Sequence, residues 1–230
     1  MIITIDGYAG TGKSTAARML AANLAFELMN TGAMYRATSI ALRRAGIDID
    51  AKPRDVEAIK RLVADYHFEL TSTIVRLRHF NMIEVDSADE DIYTEAIGRD
   101  ASLVGKFPEV RLRLQAEQRR IALGRDIICE GRDQGTTVFP DAPVKFFFKT
   151  SSLIRAQRRA VQEGIDPVRH VEAFKALVDQ IEARDKQDVE REIDPLIKPE
   201  GAEVIDTSEM SPDQVMICMM EVVERCRSNR

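Results

Sequence analysis

The sequence predicts an α/β protein: a mostly parallel sheet covered by helices on both faces, with a small antiparallel insertion and a charged helical hairpin. Three observations carry this. Short apolar, β-rich runs alternate with stretches of helical spacing, as parallel strands and their crossover helices do. A glycine-rich turn separates the first apolar run from the first helical stretch. Residues 67–85, in contrast, alternate apolar and polar side chains with period two, which suits exposed antiparallel strands.

The elements follow in order. Ile2–Ile5 reads as a strand, and the alanine-rich Thr15–Leu24 as a helix. Phe26–Met29 reads as a second strand, followed by a helix over Ala33–Ala45 that Gly46 stops, and another over Asp55–Tyr66. His67–Thr71, Ile74–Arg78 and Met82–Val85 are three short strands separated by turn residues. Helical spacing returns over Asp91–Val104, and again from Pro108, a favoured first-turn residue, to Gly124. Asp126–Glu130 and Val144–Phe148 are short buried-strand patterns. Ser151–Glu192 is helical and rich in charge, broken at Gly164–Pro167, which reads as a mobile hairpin outside the core. Glu203–Asp206 is the last strand. Ser211-Pro-Asp-Gln214 is a capping box that opens a final helix to about Arg227, with the region of Val215, Ile217, Met219 and Val222 expected against the sheet.

Composition excludes several classes of function. The 230 residues suit one domain or two closely integrated ones, and at 44% hydrophobic they can bury a substantial core. A net charge of −5 argues against a general nucleic-acid binder, which needs a basic face. No apolar run approaches a bilayer span, and Met1–Ile5 has neither the basic flank nor the long apolar stretch of a signal peptide, so a cytoplasmic protein without membrane attachment is expected. Cys129, Cys218 and Cys226 form no CxxC pair, which points to reduced thiols rather than disulfides or zinc. Of the 33 basic residues 24 are arginine, whose planar fork grips phosphate through two bonds. A small phosphorylated ligand fits that bias.

The chemistry begins at Gly7-Tyr8-Ala9-Gly10-Thr11-Gly12-Lys13-Ser14, a full match to the phosphate-binding loop G-x-x-x-x-G-K-[ST], set between strand and helix as that motif requires. Its glycines let successive N–H groups curl around phosphate oxygens at a helix N-terminus. Lys13 supplies charge to the β- and γ-phosphates, the Ser14 hydroxyl is a Mg²⁺ ligand, and Thr15 continues the helix start. No asparagine is followed by lysine, so the guanine reader of GTPases is absent. The acidic end of the strand at Glu130 resembles the metal-binding strand of ATPase motors, but 230 residues leave little room for a motor's other parts. A small-molecule phosphotransferase remains. Its acceptor also needs neutralising, and arginines recur near strand ends: Arg36, Arg132 beside Asp133, the set Arg155, Arg158 and Arg159, and the face formed by Arg184, Asp188 and Arg191. Each alone reads as a solvated charged face or an i,i+4 ion pair.

Taken together and in order, GYAGTGKS, TGAMYR (31–36), EGRDQGTTVFPDAPVKFFF (130–148), RAQRR (155–159), RDKQDVER (184–191) with the following DPL, and VIDTS (204–208) closely resemble the bacterial cytidylate kinase family over nearly the whole chain. The resemblance implies a P-loop nucleoside monophosphate kinase fold: a parallel five-stranded sheet flanked by helices, a β-rich NMP-binding insertion and a helical lid. It divides the chain into core with P-loop (1–66), insertion (67–104), core (105–150), lid (151–192) and C-terminal core (193–230). It implies transfer of the ATP γ-phosphoryl group to CMP or dCMP with Mg²⁺, by a monomer. Residues 7–15 would hold ATP, with Arg155, Arg158 and Arg159 in the lid. Thr31, Arg36, Ser102, Arg111, Arg132, Asp133, Arg184, Asp188 and Arg191 would hold CMP, with Ser102, Arg111 and Asp133 reading cytosine. Lys13, Arg132, Arg158 and Arg159 would be the catalytic set.

Four positions depart from the family pattern: Tyr8 where proline is usual, Asn30 for Asp, Tyr93 for a common Arg and Gln187 for a frequent Arg. Each removes stiffness or charge. Two alternatives stand beside the leading reading: a related phosphotransferase with another nucleoside monophosphate or phosphorylated acceptor, and a nucleotide-binding regulatory module without catalysis. Intact Lys13 and Ser14 favour an enzyme over the module.

Overall fold

A computed structural model describes residues 1–71, 74–79, 82–88 and 91–228, with backbone alone at 82–84. The turns expected between the three short strands, at 72–73 and 80–81, lie outside the described residues. The chain forms a five-stranded parallel sheet in the order β2 (Glu27–Asn30), β6 (Ile127–Glu130), β1 (Ile2–Gly7), β7 (Val144–Lys149), β8 (Glu203–Asp206). A separate three-stranded antiparallel sheet comprises β3 (Tyr66–Thr71), β4 (Ile74–His79) and β5 (Met82–Asp86). Compactness divides the chain into two units, Met1 with Glu27–Cys129, and Ile2–Phe26 with Glu130–Arg230.

The first unit holds β2, β6 as far as Cys129 and the small sheet, with helices α2 (Thr31–Arg44), α3 (Val56–Ala64), α4 (Glu95–Val104) and α5 (Pro108–Ala122). Its core joins Met34, Ala37 and Leu42 of α2 with Ile59, Val63, Tyr66, Phe68, Val75, Leu77, Val110 and Leu114. Period two along β3 puts Tyr66, Phe68 and Leu70 inside and His67 and Glu69 out. The outer edge of β3 has a side-chain covering. Phe68 N–H donates to Glu117 Oε2 at 2.9 Å, while Arg113 and Arg120 donate to the carbonyls of Tyr66 and Phe68, each at 2.6 Å. Three residues on one face of α5 thus satisfy main-chain groups that would otherwise template a foreign strand.

The second unit packs α1 (Lys13–Leu24), α6 (Ser152–Glu163), α7 (Val171–Glu190) and α8 (Pro212–Ser228) with β1, β7 and β8. β1 runs parallel to β7 from Ile3↔Val144 to Gly7↔Phe148, and β7 to β8 from Phe146↔Glu203 to Lys149↔Asp206. α6 and α7 share a small core of Ala156, Ala160 and Leu177, with Phe174, Val178 and Ile181 packed on it.

Several boundaries move, each for a local reason. α1 begins at Lys13 rather than Thr15, because left-handed Gly12 caps it. α2 begins at Thr31 rather than Ala33, because the Asn30 side chain accepts from Ala33 N–H at 3.2 Å. α4 begins at Glu95, four residues late, where Thr94 caps it. The capping box forms reciprocally: Ser211 N–H donates to Gln214 Oε1 at 2.8 Å and Gln214 N–H to Ser211 Oγ at 3.2 Å. On α8 the buried residues are Val215, Met216, Met219 and Val223, while Ile217 is 59% exposed, so the buried stripe is rotated from the expected one. A π-helical turn over Gln134–Val138 has no counterpart in the sequence reading.

Candidate active site

The loop between β1 and α1 is shaped by its backbone. Gly7 has φ +141°, and a Cβ there would fall 2.2 Å from the Phe148 carbonyl oxygen of the adjoining strand, so only glycine lets the chain turn away here. Tyr8 packs edge-on against Phe147 at 6.3 Å and lies under the Arg155 guanidinium at 5.5 Å. The Tyr8 carbonyl accepts from Thr11 Oγ1 at 2.9 Å and from Lys13 Nζ. Thr207, inside the VIDTS segment, donates to the Thr11 carbonyl at 2.8 Å. The loop is braced from both sides.

Charge is concentrated at this place. Lys13 is buried, and burial, reinforced by the Arg132 charge, pulls its pKa down to about 7 against the opposing carboxylates of Glu130, Asp188 and Asp6. Asp6 is fully buried at the end of β1, and burial pushes its pKa up to about 7, despite N–H bonds from Gly135 at 2.7 Å and Gln134 at 2.9 Å. Ser14 Oγ donates to Glu130 Oε1 at 2.8 Å, so the hydroxyl of the Lys-Ser pair meets the carboxylate ending β6. Arg132 Nε donates to Asp188 Oδ2 at 2.9 Å. Burial opposes the charge on both, but their mutual attraction outweighs it, holding Arg132 above and Asp188 below its ordinary pKa, with Arg184 and Arg191 adding to the pull on Asp188. Arg191 Nη2 lies 4.0 Å from Asp133 Oδ2.

The second unit therefore brings together Lys13, Ser14, Arg132, Asp133, Asp188 and Arg191, with Arg184 acting on Asp188 through its charge. The three arginines of α6 divide. Arg155 is buried and donates to Ala9 O at 3.1 Å, Thr150 O at 3.0 Å and both oxygens of Asp185. Arg158 donates to the Thr207 carbonyl at 2.5 Å, and Arg159 pairs with Glu163 on the exposed face of α6.

The first unit holds the other four expected acceptor residues. Thr31 is buried at the first turn of α2. Arg36 Nη1 donates to the carbonyls of Ile92 at 2.8 Å and Thr94 at 3.1 Å, and its guanidinium sits 5.5 Å from the Tyr93 ring. Arg111 is 2% exposed, donates to Gly105 O at 3.1 Å and lies over the Tyr35 ring. Ser102 is half-buried on α4.

Sequence reasoning missed Asp6, Asp185 and Thr207, and gave Glu130 no partner. Glu130 had a signal, an acid ending a buried strand. Asp6 had one too, a carboxylate inside an apolar run.

Among the described residues no helix is long and apolar enough to cross a membrane, and no three His, Cys, Asp or Glu side chains cluster as a metal site would need. A family model described as cytidylate kinase matches residues 3–225. The chain is 40% identical over 229 residues to a cytidylate kinase of Rhodopirellula baltica, covering 98% of this chain and 93% of that protein. It is 38% identical to one from Colwellia psychrerythraea, covering 94% and 92%. Among solved structures, an uncharacterized protein from Eubacterium ventriosum is similar with a TM-score of 0.53 at 13% identity, covering 97% of this chain and 98% of that chain. A gluconokinase from Sinorhizobium meliloti is similar with a TM-score of 0.50 at 12% identity, covering 98% and 93%. At such identities the likeness speaks to fold alone.

Proposed function

The chain belongs to the cytidylate kinase family, and from that premise we propose that it transfers the γ-phosphoryl group of ATP to CMP or dCMP, giving CDP or dCDP and ADP. The observation that carries the reading is the meeting of Lys13, the Ser14–Glu130 pair and the Arg132–Asp188 pair in one unit, beside the phosphate-binding loop. A hydroxyl and a carboxylate 2.8 Å apart offer oxygen donors that suit Mg²⁺, which Ser14 and Glu130 would hold beside the phosphate-binding loop. The ion would neutralise phosphate charge. Lys13 would contact the β- and γ-phosphates, with Arg132, Arg158 and Arg159 adding positive charge around the transferring group.

By the family resemblance, acceptor binding would draw on Thr31, Arg36, Ser102, Arg111, Arg132, Asp133, Arg184, Asp188 and Arg191. Asp133 would accept from the exocyclic amine of cytosine, while Arg111 and Ser102 donate to its ring acceptors. Uracil reverses that pattern, and each buried group it leaves unpaired costs about 1–3 kcal/mol. The α6–α7 hairpin would act as the lid, and the protein would work as a cytoplasmic monomer. A coupled ADP-release assay across the common nucleoside monophosphates, with Mg²⁺ present and withheld, tests the reading. Turnover highest with CMP or dCMP and dependent on Mg²⁺ is expected; faster turnover of another monophosphate, or none of any, overturns it.

A further inference from the structure

The π-helical turn that follows Arg132-Asp133 contains a polar side chain with no solvent to face. Gln134 is fully buried, and an amide is taken out of water only where it has partners. Its Nε2 donates to Asp133 Oδ1 at 3.3 Å, while the other carboxylate oxygen of Asp133 faces Arg191 Nη2 at 4.0 Å. One oxygen of Asp133 is therefore hydrogen-bonded to the amide, and the other faces a positive charge.

The turn is built to hold that amide in place. Gln134 N–H donates to Asp6 Oδ1 at 2.9 Å, and the Gln134 carbonyl accepts from Phe139 N–H at 2.7 Å. The next residue, Gly135, gives its N–H to Asp6 Oδ2 at 2.7 Å, and a Cβ on it would fall 2.8 Å from both Thr4 Oγ1 and Pro199 Cγ. Asp133 closes the turn by accepting at its carbonyl from Thr137 N–H at 2.9 Å and Val138 N–H at 3.1 Å. Such turns are rare and concentrate at functional sites.

We infer that Gln134 is a specificity-determining residue, whose buried amide fixes the orientation of the Asp133 carboxylate and so favours a base that presents an amine over one that presents a carbonyl. The inference rests on the cytosine-reading role proposed for Asp133. An ionised carboxylate has no hydrogen to give. A base with a carbonyl at that point would set a second acceptor against the carboxylate oxygens. Asp6 is the positioning residue behind the amide, since it fixes the backbone from which the amide projects.

The test compares wild type, Gln134→Leu, which keeps bulk and removes the donor, and Gln134→Asn, with kcat/KM for CMP and for UMP alongside melting temperature. The CMP-to-UMP ratio of Gln134→Leu is expected to fall by about tenfold, the scale of one hydrogen bond to a charged group, through loss on CMP with UMP unchanged or improved. A purely structural role lowers both substrates together and leaves the ratio alone, which overturns the inference, as does a Gln134→Leu ratio equal to wild type. A ratio for Gln134→Asn between the other two supports it. Wild-type protein that phosphorylates neither substrate refutes the proposed function itself, and the inference falls with it.

Discussion

Binding of ATP at pH 8 is expected to draw a proton from solution onto Lys13. Burial, with the Arg132 charge, sets the pKa of this ammonium at about 7, so at pH 8 only about a tenth of the molecules carry the charge. Phosphate oxygens brought against Lys13 favour the charged form, as any close anion does, and restore the pKa toward its ordinary range near 10.5. The change at one site is then about 0.9 proton taken up per ATP bound. Calorimetric titrations in buffers of different ionisation enthalpy measure this directly, because the slope of observed heat against buffer enthalpy is the number of protons exchanged. At pH 8 the nucleotide's own phosphates are already ionised, and Lys13→Met supplies the control. The same titration at pH 6 should show little Lys13-dependent uptake, since about nine-tenths of the ammonium is already charged there. A slope near zero for wild type at pH 8, or one that persists in Lys13→Met, would refute the reasoning.

Three further outcomes are expected. Asp6, raised to about 7 from 3.8, binds a proton in the folded protein that the unfolded chain has released; its burial cost is absent below about pH 4, grows as pH rises, and is fully present above about 7. Urea unfolding should therefore show Asp6→Asn less damaging at pH 8 than at pH 5, and equal damage at both would contradict the shift. Arg184→Ala and Arg191→Ala should each lose at least about tenfold in kcat/KM for CMP with ATP binding little changed, since a charge-assisted contact is worth about 1.5–3 kcal/mol; wild-type CMP kinetics in both would return that face to a charge ladder. Asn30→Asp should raise stability by about 0.3–1 kcal/mol, because a charged cap replaces a neutral one at the N-terminus of α2, with KM or kcat for CMP changed modestly; a melting temperature below wild type would count against the cap.

The alternation of strands and helices was legible because each element buries one face, and that periodicity is written locally. The strand positions and the reciprocal Ser211–Gln214 box needed only neighbours in sequence. The rotation of α8 was not legible: Val222 and Ile217 look as buriable as Met216 and Val223, and only packing against α1 and β7 chooses between them. The same holds at the candidate site. The phosphate-binding loop is a contiguous motif, whereas the Ser14–Glu130 bond spans 116 residues and the Arg132–Asp188 bond 56. Which carboxylate meets which hydroxyl or guanidinium is decided by sheet order. Asp6 illustrates the limit most sharply, since an acid in an apolar strand conflicts with the pattern until the turn at Gln134–Val138 supplies its two donors.

The groups proposed to face phosphate also share a property that bears on how the proposed reaction would run. Lys13 donates to the Tyr8 carbonyl, Ser14 to Glu130, Arg132 to Asp188 and Arg155 to Ala9, Thr150 and Asp185. Lys13 and Arg155 are buried, Ser14 and Arg132 half-buried, and each is already bonded. Engaging a phosphate is then an exchange of partners rather than the capture of a solvated ion, so the net gain per contact is the difference between two charge-assisted bonds, not the whole of one. For the buried Lys13 and Arg155, desolvation, the larger cost of assembling such a cluster, has been met in folding. That arrangement favours interactions that strengthen as charge builds on the transferring group over those that bind the ground state equally well. For Arg155 the balance differs, because four acceptor atoms, two of them from one carboxylate, hold it to α7, to Thr150 just after β7 and to the phosphate-binding loop. Its strongest consequence is mechanical: it ties the α6–α7 hairpin to the Ala9 carbonyl, so a hairpin that moves when nucleotide arrives must move with that loop or give up this bond.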